Sequence, residues 1–89
     1  MTGNQIEFFD DIYRKYYKMM YDVALRIVKN PGIAEDVVAD TFLVLITKIN
    51  AVIEHEQPVK WLFRVLKNNA LNERRAQSAH SAVPLDEHI

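Results

Sequence analysis

An all-α fold, a compact bundle of three to four helices without a sheet, is the class this sequence predicts, and three observations predict it. Only two glycines and three prolines occur in 89 residues, and each proline falls at a boundary between apolar-periodic stretches. Apolar residues recur at three- and four-residue steps through most of the chain, the signature of helices that bury one face. The best strand-like run, "VVADTFLVLI", carries the same helical stripe and so gives no evidence for a strand.

Taken in order, the first helix begins after Thr2 or Asn4 as N-cap and runs to residue 29. Phe8, Phe9, Ile12, Tyr16, Met20, Val23, Ala24 and Ile27 form its stripe. It is long enough that a break near residues 16–18 is allowed for. "KNPGI" then makes the turn, because a residue before proline avoids helical dihedrals and Gly32 permits a tight bend. The second helix covers residues 33–50, with Ala34, Val38, Thr41, Phe42, Leu45 and Ile49 on one side. Its far side sets Asp36, Asp40 and Thr47 between the apolar Leu43 and Val44. Residues 51–57, "AVIEHEQ", lack a stripe and read as a loop. Pro58 suits the first turn of a third helix, where its missing N–H costs nothing, and that helix runs to about residue 76. The remaining "QSAHSAVPLDEHI" shows no periodicity and reads as a linker or tail, which places the domain at residues 1–76 and the tail at 77–89.

Composition narrows the function. A chain of 89 residues holds one small core, and 49% hydrophobic with 26% charged residues is an ordinary globular balance. The absence of cysteine removes disulfides and thiolate metal sites and suits a reducing compartment such as the cytoplasm. No apolar run approaches the roughly 20 residues of a membrane span, and the start of the chain lacks the basic-then-apolar pattern of a secretory signal.

The formal net charge of −1 conceals a segregation. Residues 31–57 carry one basic and five acidic groups, whereas residues 58–75 carry five basic and one acidic. On the third helix Lys60, Arg64, Lys67, Leu71 and Arg75 fall near one meridian with Arg74 beside them, opposite Leu62, Val65, Leu66 and Asn69. Trp61, Val65, Asn68 and Asn72 form the seam between these faces. Cations for phosphates, amides for base edges and an indole for stacking are what a nucleic acid requires, although a solvated basic face with a core tryptophan explains the same pattern. Asp36 and Asp40 share a helix face, but no histidine, metal-ligand cluster or glycine-rich loop accompanies them, so catalysis is not indicated. Acidic residues early in a helix also complement its macrodipole, which is reason enough for Glu35 and Asp36. The aliphatic flankers make the same face suited to a protein partner. His55, His80 and His88 are isolated, and no cofactor is implied.

"FFDDIYRKYYKMMYDVALRIVKNPGIAEDVVADTFLVLITKI", a short loop and "WLFRVLKNNALNERR" together resemble region 2 of bacterial sigma-70-type sigma factors, specifically the extracytoplasmic-function group. The resemblance spans residues 8–75 and rests on the pairing of "AEDVV-x-x-TF" with "WLF-x-V-x-x-N". It implies a non-enzymatic transcription-initiation module. In the family the second helix binds the clamp helices of the β′ subunit of core RNA polymerase, which implies contacts from Asp36, Ala39, Asp40 and Leu43. The third helix and preceding loop recognise and melt the minus-ten promoter element and capture a flipped non-template base. By position, Trp61, Val65 and Asn68 would line that region, Val52 and Ile53 would contribute from the loop, and Lys60, Arg64, Lys67 and Arg75 would follow the DNA backbone. "VPLDEHI" resembles the start of the linker to a second DNA-binding domain; no helix-turn-helix follows residue 76, which fits either a fragment of a longer factor or a stand-alone region 2 protein that relies on a partner.

Three departures stand out. Many relatives have Gln-Glu where this chain has Ala39-Asp40, which removes an amide and shortens a carboxylate. The loop carries Glu54 and Glu56, and it lacks the aromatic that many relatives place near Val52. A second reading takes the chain as a small helical interaction protein, a partner or decoy for an anti-sigma factor or a helical dimer, without DNA contact.

Overall fold

The structure, a computed structural model, describes residues 1–87, with side chains through Gln77. The last two residues of the expected tail, with His88, lie outside the described residues. Four helices and no strand make up the described chain: α1 Gly3–Val28, α2 Pro31–Thr47, α3 Ile49–Val52 and α4 Pro58–Glu87. The all-α class is as the sequence predicts.

α1 is one unbroken helix of 26 residues. Thr2 is its N-cap in a capping box: the Thr2 hydroxyl accepts from the Gln5 N–H at 3.2 Å, and the Gln5 side chain accepts from the Thr2 N–H at 3.0 Å. Two residues then suffice to reverse the chain. Lys29 adopts the left-handed region at φ 56° and donates its N–H to the Leu25 carbonyl at 2.7 Å, while Asn30 caps α2 by accepting from the Ile33 N–H at 3.1 Å. The bend expected at Gly32 therefore sits at Lys29, because Asn30 serves as N-cap and Pro31 as the first helical residue, leaving Gly32 inside the helix with ordinary φ.

α2 ends three residues before its expected limit. The Thr47 hydroxyl donates to the Leu43 carbonyl at 2.9 Å, a back-bond that bends helices, and Lys48 leaves helical geometry at φ −108°, ψ 21°. The chain restarts as the single turn α3, turning Ile49 and Val52 into the core. Residues 51 and 52, expected in the loop, thus belong to a helix. Pro58 opens α4 as predicted, and the helix continues to Glu87 instead of ending near residue 76. Residues 76–83 contain no glycine or proline and include good helix formers, so nothing local stops it there.

The core joins all four helices. Met20 and Ala24 of α1, Val37, Val38 and Leu45 of α2 and Leu62 and Leu66 of α4 are essentially excluded from solvent. Val37, Val28 and Ala70 are buried although they lie outside the stripes read from sequence. The one buried polar residue among those described is Thr41, whose hydroxyl donates to the Val37 carbonyl at 2.8 Å and accepts from Asn69 Nδ2 of α4 at 3.1 Å. This is a satisfied polar link between α2 and α4, so its burial carries little penalty.

Candidate functional site: two outward faces

α2 packs against both α1 and α4, which also pack against each other, and its outward side remains free. Glu35, Asp36, Ala39, Asp40, Leu43, Ile46 and Thr47 are all exposed there, Leu43 at 60%. With α2 starting at Pro31, Glu35 and Asp36 fall in its second turn, beyond the reach of the macrodipole explanation. The face divides along its length. Toward α1, Ala39, Leu43 and Ile46 join Tyr13, Tyr17, Glu35 and Phe42 around a mainly apolar cleft of about 360 Å³. In its aromatic wall Phe42 packs against Tyr13 at 4.9 Å, Phe9 at 5.6 Å and Tyr17 at 6.4 Å between ring centroids. Desolvation, then the neighbouring Tyr13 and Glu35, raise the pKa of the Tyr17 phenol, which keeps its proton at neutral pH. Toward α4, Asp40 and Val37 share a notch of about 340 Å³ with Asn69, Asn72, Glu73 and Ala76. The four residues Asp36, Ala39, Asp40 and Leu43 are thus on one surface, with Ala39 and Leu43 on its apolar side and Asp40 on its polar side.

α4 presents the opposite chemistry. Lys60, Arg64 and Lys67 are exposed and, with Phe63, Asn68 and Leu71, line a cleft of about 400 Å³. Phe63 is half-buried, set edge-on to Tyr16 of α1 at 6.2 Å, so an aromatic ring floors the cationic cleft. Trp61 and Val65 are half-buried on the other flank of the helix, toward α2, and Trp61 packs on the core. The ion pairs among the described residues are Arg14–Asp10 at 3.1 Å and Lys15–Asp11 at 3.2 Å, both within α1. Among the described residues no carboxylate pairs with an α4 cation. Arg75 lies two turns beyond Lys67 along the same helix, exposed, with Nη1 3.5 Å from Asn72 Oδ1.

The loop before α4 is less uniform than the sequence suggests. Val52 is only 3% exposed and packs in the core. That corrects its place among surface contact residues: the extra turn α3 rotates it inward. Ile53 is half-buried and shares a cleft of about 660 Å³ with Asn4, Glu7, Phe8, Asp10, Asp11 and Arg14 of α1, apart from the α4 cations. His55, read as an isolated polar residue, has a local role, since its Nδ1 accepts from the Gln57 N–H at 2.9 Å and its own N–H donates to the Val52 carbonyl at 3.0 Å. The structure therefore brings Lys60, Arg64, Lys67 and Asn68 together, sets Trp61 and Val65 on the other flank of α4 and leaves Val52 out. Phe63, Tyr13 and Tyr17 were not singled out for either face. Their position at the edge of helical stripes was the available signal, and core packing explained it equally well.

Fold and surface define an all-α binding domain with two charged faces of opposite sign and, among the described residues, no cluster of metal-ligating side chains. No helix among the described residues is long and apolar enough to cross a membrane. The family model for sigma-70 region 2 matches residues 12–80, from the middle of α1 into α4. The chain belongs to the sigma-70 region 2 family. That family places the chain in transcription initiation, and region 2 of sigma factors is a regulatory domain that implies core RNA polymerase and promoter DNA as partners. No curated protein and no solved structure matches the chain.

Proposed function

We propose that this domain, of the extracytoplasmic-function type, binds the clamp helices of the β′ subunit through the outward face of α2, and recognises and melts the minus-ten element through α4 and the loop before it. The observation that carries the reading is the pairing of faces: aliphatic and acidic on α2, and on α4 cationic with no ion pair among the described residues.

On α2, Leu43 and the cleft beside Ala39 offer apolar contact, while Asp36 and Asp40 offer acceptors to basic side chains of a polymerase helix. The alanine at position 39 leaves this cleft open where many relatives carry a longer amide. On α4, Lys60, Arg64, Lys67 and Arg75 follow phosphates, and Asn68 offers both a donor and an acceptor to a base edge. Trp61, Val65 and Ile53 supply apolar surface for unstacked bases. Val52 acts from the core, fixing the root of the loop. Melting needs no active site or cofactor, because unstacking a base costs a few kcal/mol and capture of that base offsets it. Such a domain works where RNA polymerase works, in the cytoplasm.

Binding of a single-stranded minus-ten oligonucleotide tests the DNA half. Asn68→Ala should weaken it while circular dichroism stays unchanged. If Asn68→Ala and Lys67→Ala both bind as tightly as wild type, α4 is merely a solvated surface, as a helical interaction module such as an anti-sigma partner would have it.

A further inference from the structure

The capping box of α1 contains glutamine at its third position, and that choice leaves a group over. A glutamate there would cap equally well but would have no hydrogen to donate. Gln5 uses its carbonyl for the Thr2 N–H, and its Nε2 donates to Asn50 Oδ1, 45 residues further along the chain. Asn50 belongs to α3, a four-residue helix too short to hold itself together. Ile49 and Val52 anchor α3 on its buried side, and the Gln5 amide braces its exposed side against the start of α1.

From α3 the bracing passes into the loop by two backbone bonds and one to the His55 side chain. The His55 N–H bonds the Val52 carbonyl at 3.0 Å, the Gln57 N–H bonds His55 Nδ1 at 2.9 Å, and the Trp61 N–H bonds the Gln57 carbonyl at 3.1 Å. Two sets of hydrogen bonds, Gln5 to Asn50 and Val52 through His55 and Gln57 to Trp61, are thus joined through the short chain of α3 and link the first turn of α1 to the first turn of α4. We infer that Gln5 is a positioning residue that, through Asn50, sets where the 53–57 loop stands beside the α4 cations when a single strand is bound. This rests on the reading of that loop as part of the DNA contact. Gln5 itself touches no DNA in this account.

Asn50→Ala removes the brace and leaves the capping box intact, Gln5→Ala removes both, and Lys67→Ala serves as the reference for direct contact. Hydrogen exchange of the loop amides should quicken in both brace variants while the amides of Leu62 and Leu66 stay protected. Affinity for a single-stranded minus-ten oligonucleotide should fall about two- to fivefold, the size of one exposed hydrogen bond. The salt dependence should stay as in wild type, since no phosphate contact is lost. Asn50→Ala combined with Gln5→Ala should bind no worse than the weaker of the two. Unchanged loop exchange in Asn50→Ala overturns the inference. So does unchanged oligonucleotide affinity in a protein whose binding Lys67→Ala weakens. A wild-type chain that binds no oligonucleotide overturns the DNA reading itself, and the inference falls with it.

Discussion

The outward face of α2 and the outward face of α4 are built on the same core, yet they differ in what they leave unsatisfied. α2 exposes Leu43 and Ile46 beside Asp36 and Asp40, so its free face combines a desolvation gain with hydrogen-bond acceptors. α4 exposes Lys60, Arg64 and Lys67 with no carboxylate paired to them among the described residues, so its free face is mainly a concentration of positive charge over an aromatic floor. The first suits a packed protein helix and the second a flexible polyanion. A formal charge of −1 for the whole chain hides this difference, and the charge by helix reveals it.

The largest expected effect removes both faces at once. Leu66 is fully buried on the core side of α4, and Leu66→Ala should cost about 2–5 kcal/mol, a large share of the stability of a domain this size. Thermal denaturation would show a much lower midpoint, with polymerase and DNA binding declining together.

Charge reversal separates the faces. Asp40→Arg should lower affinity for core polymerase about tenfold or more, because it sets a cation against the basic partner that Asp40 is proposed to meet. Oligonucleotide binding, measured by fluorescence anisotropy, should not weaken. Lys67→Ala is the smaller complement. It should weaken oligonucleotide binding and reduce the slope of log affinity against log salt by about 0.7, the value for one phosphate contact on a single strand, while polymerase binding is retained.

Smallest of all is a change that touches neither face. Lys29 holds a left-handed backbone conformation that costs a non-glycine residue about 1 kcal/mol. Lys29→Gly should raise stability by up to about that amount, offset in part by the greater freedom of glycine in the unfolded chain, with both affinities unchanged. A larger loss of either affinity would show that the α1–α2 turn takes part in binding.

Much of this arrangement was legible in the sequence. The stripe Ala34, Val38, Thr41, Phe42, Leu45 and Ile49 is buried without exception, because a helix between two neighbours must bury a broad, regular face. The cationic meridian of α4 was equally readable, since i and i+4 spacing fixes it once Pro58 sets the start. Local hydrogen bonds decided what remained. Thr47 bonding back to Leu43 ends α2 early and turns Val52 inward, a competition between side chain and backbone that periodicity does not register. Lys29 takes the bend from Gly32 because Asn30 is the better N-cap. The brace from Gln5 to Asn50 joins two residues that no local pattern connects.

The most direct test measures two ligands on three proteins. Wild type, Asp40→Arg and Lys67→Ala, each verified as folded by circular dichroism, would be titrated separately with purified core RNA polymerase and with a single-stranded minus-ten oligonucleotide. A crossed result is expected: Asp40→Arg loses polymerase and keeps DNA, and Lys67→Ala loses DNA affinity and keeps polymerase. Wild-type affinity for both ligands in both variants, or parallel losses in both variants, would contradict the claim that the two faces serve two partners.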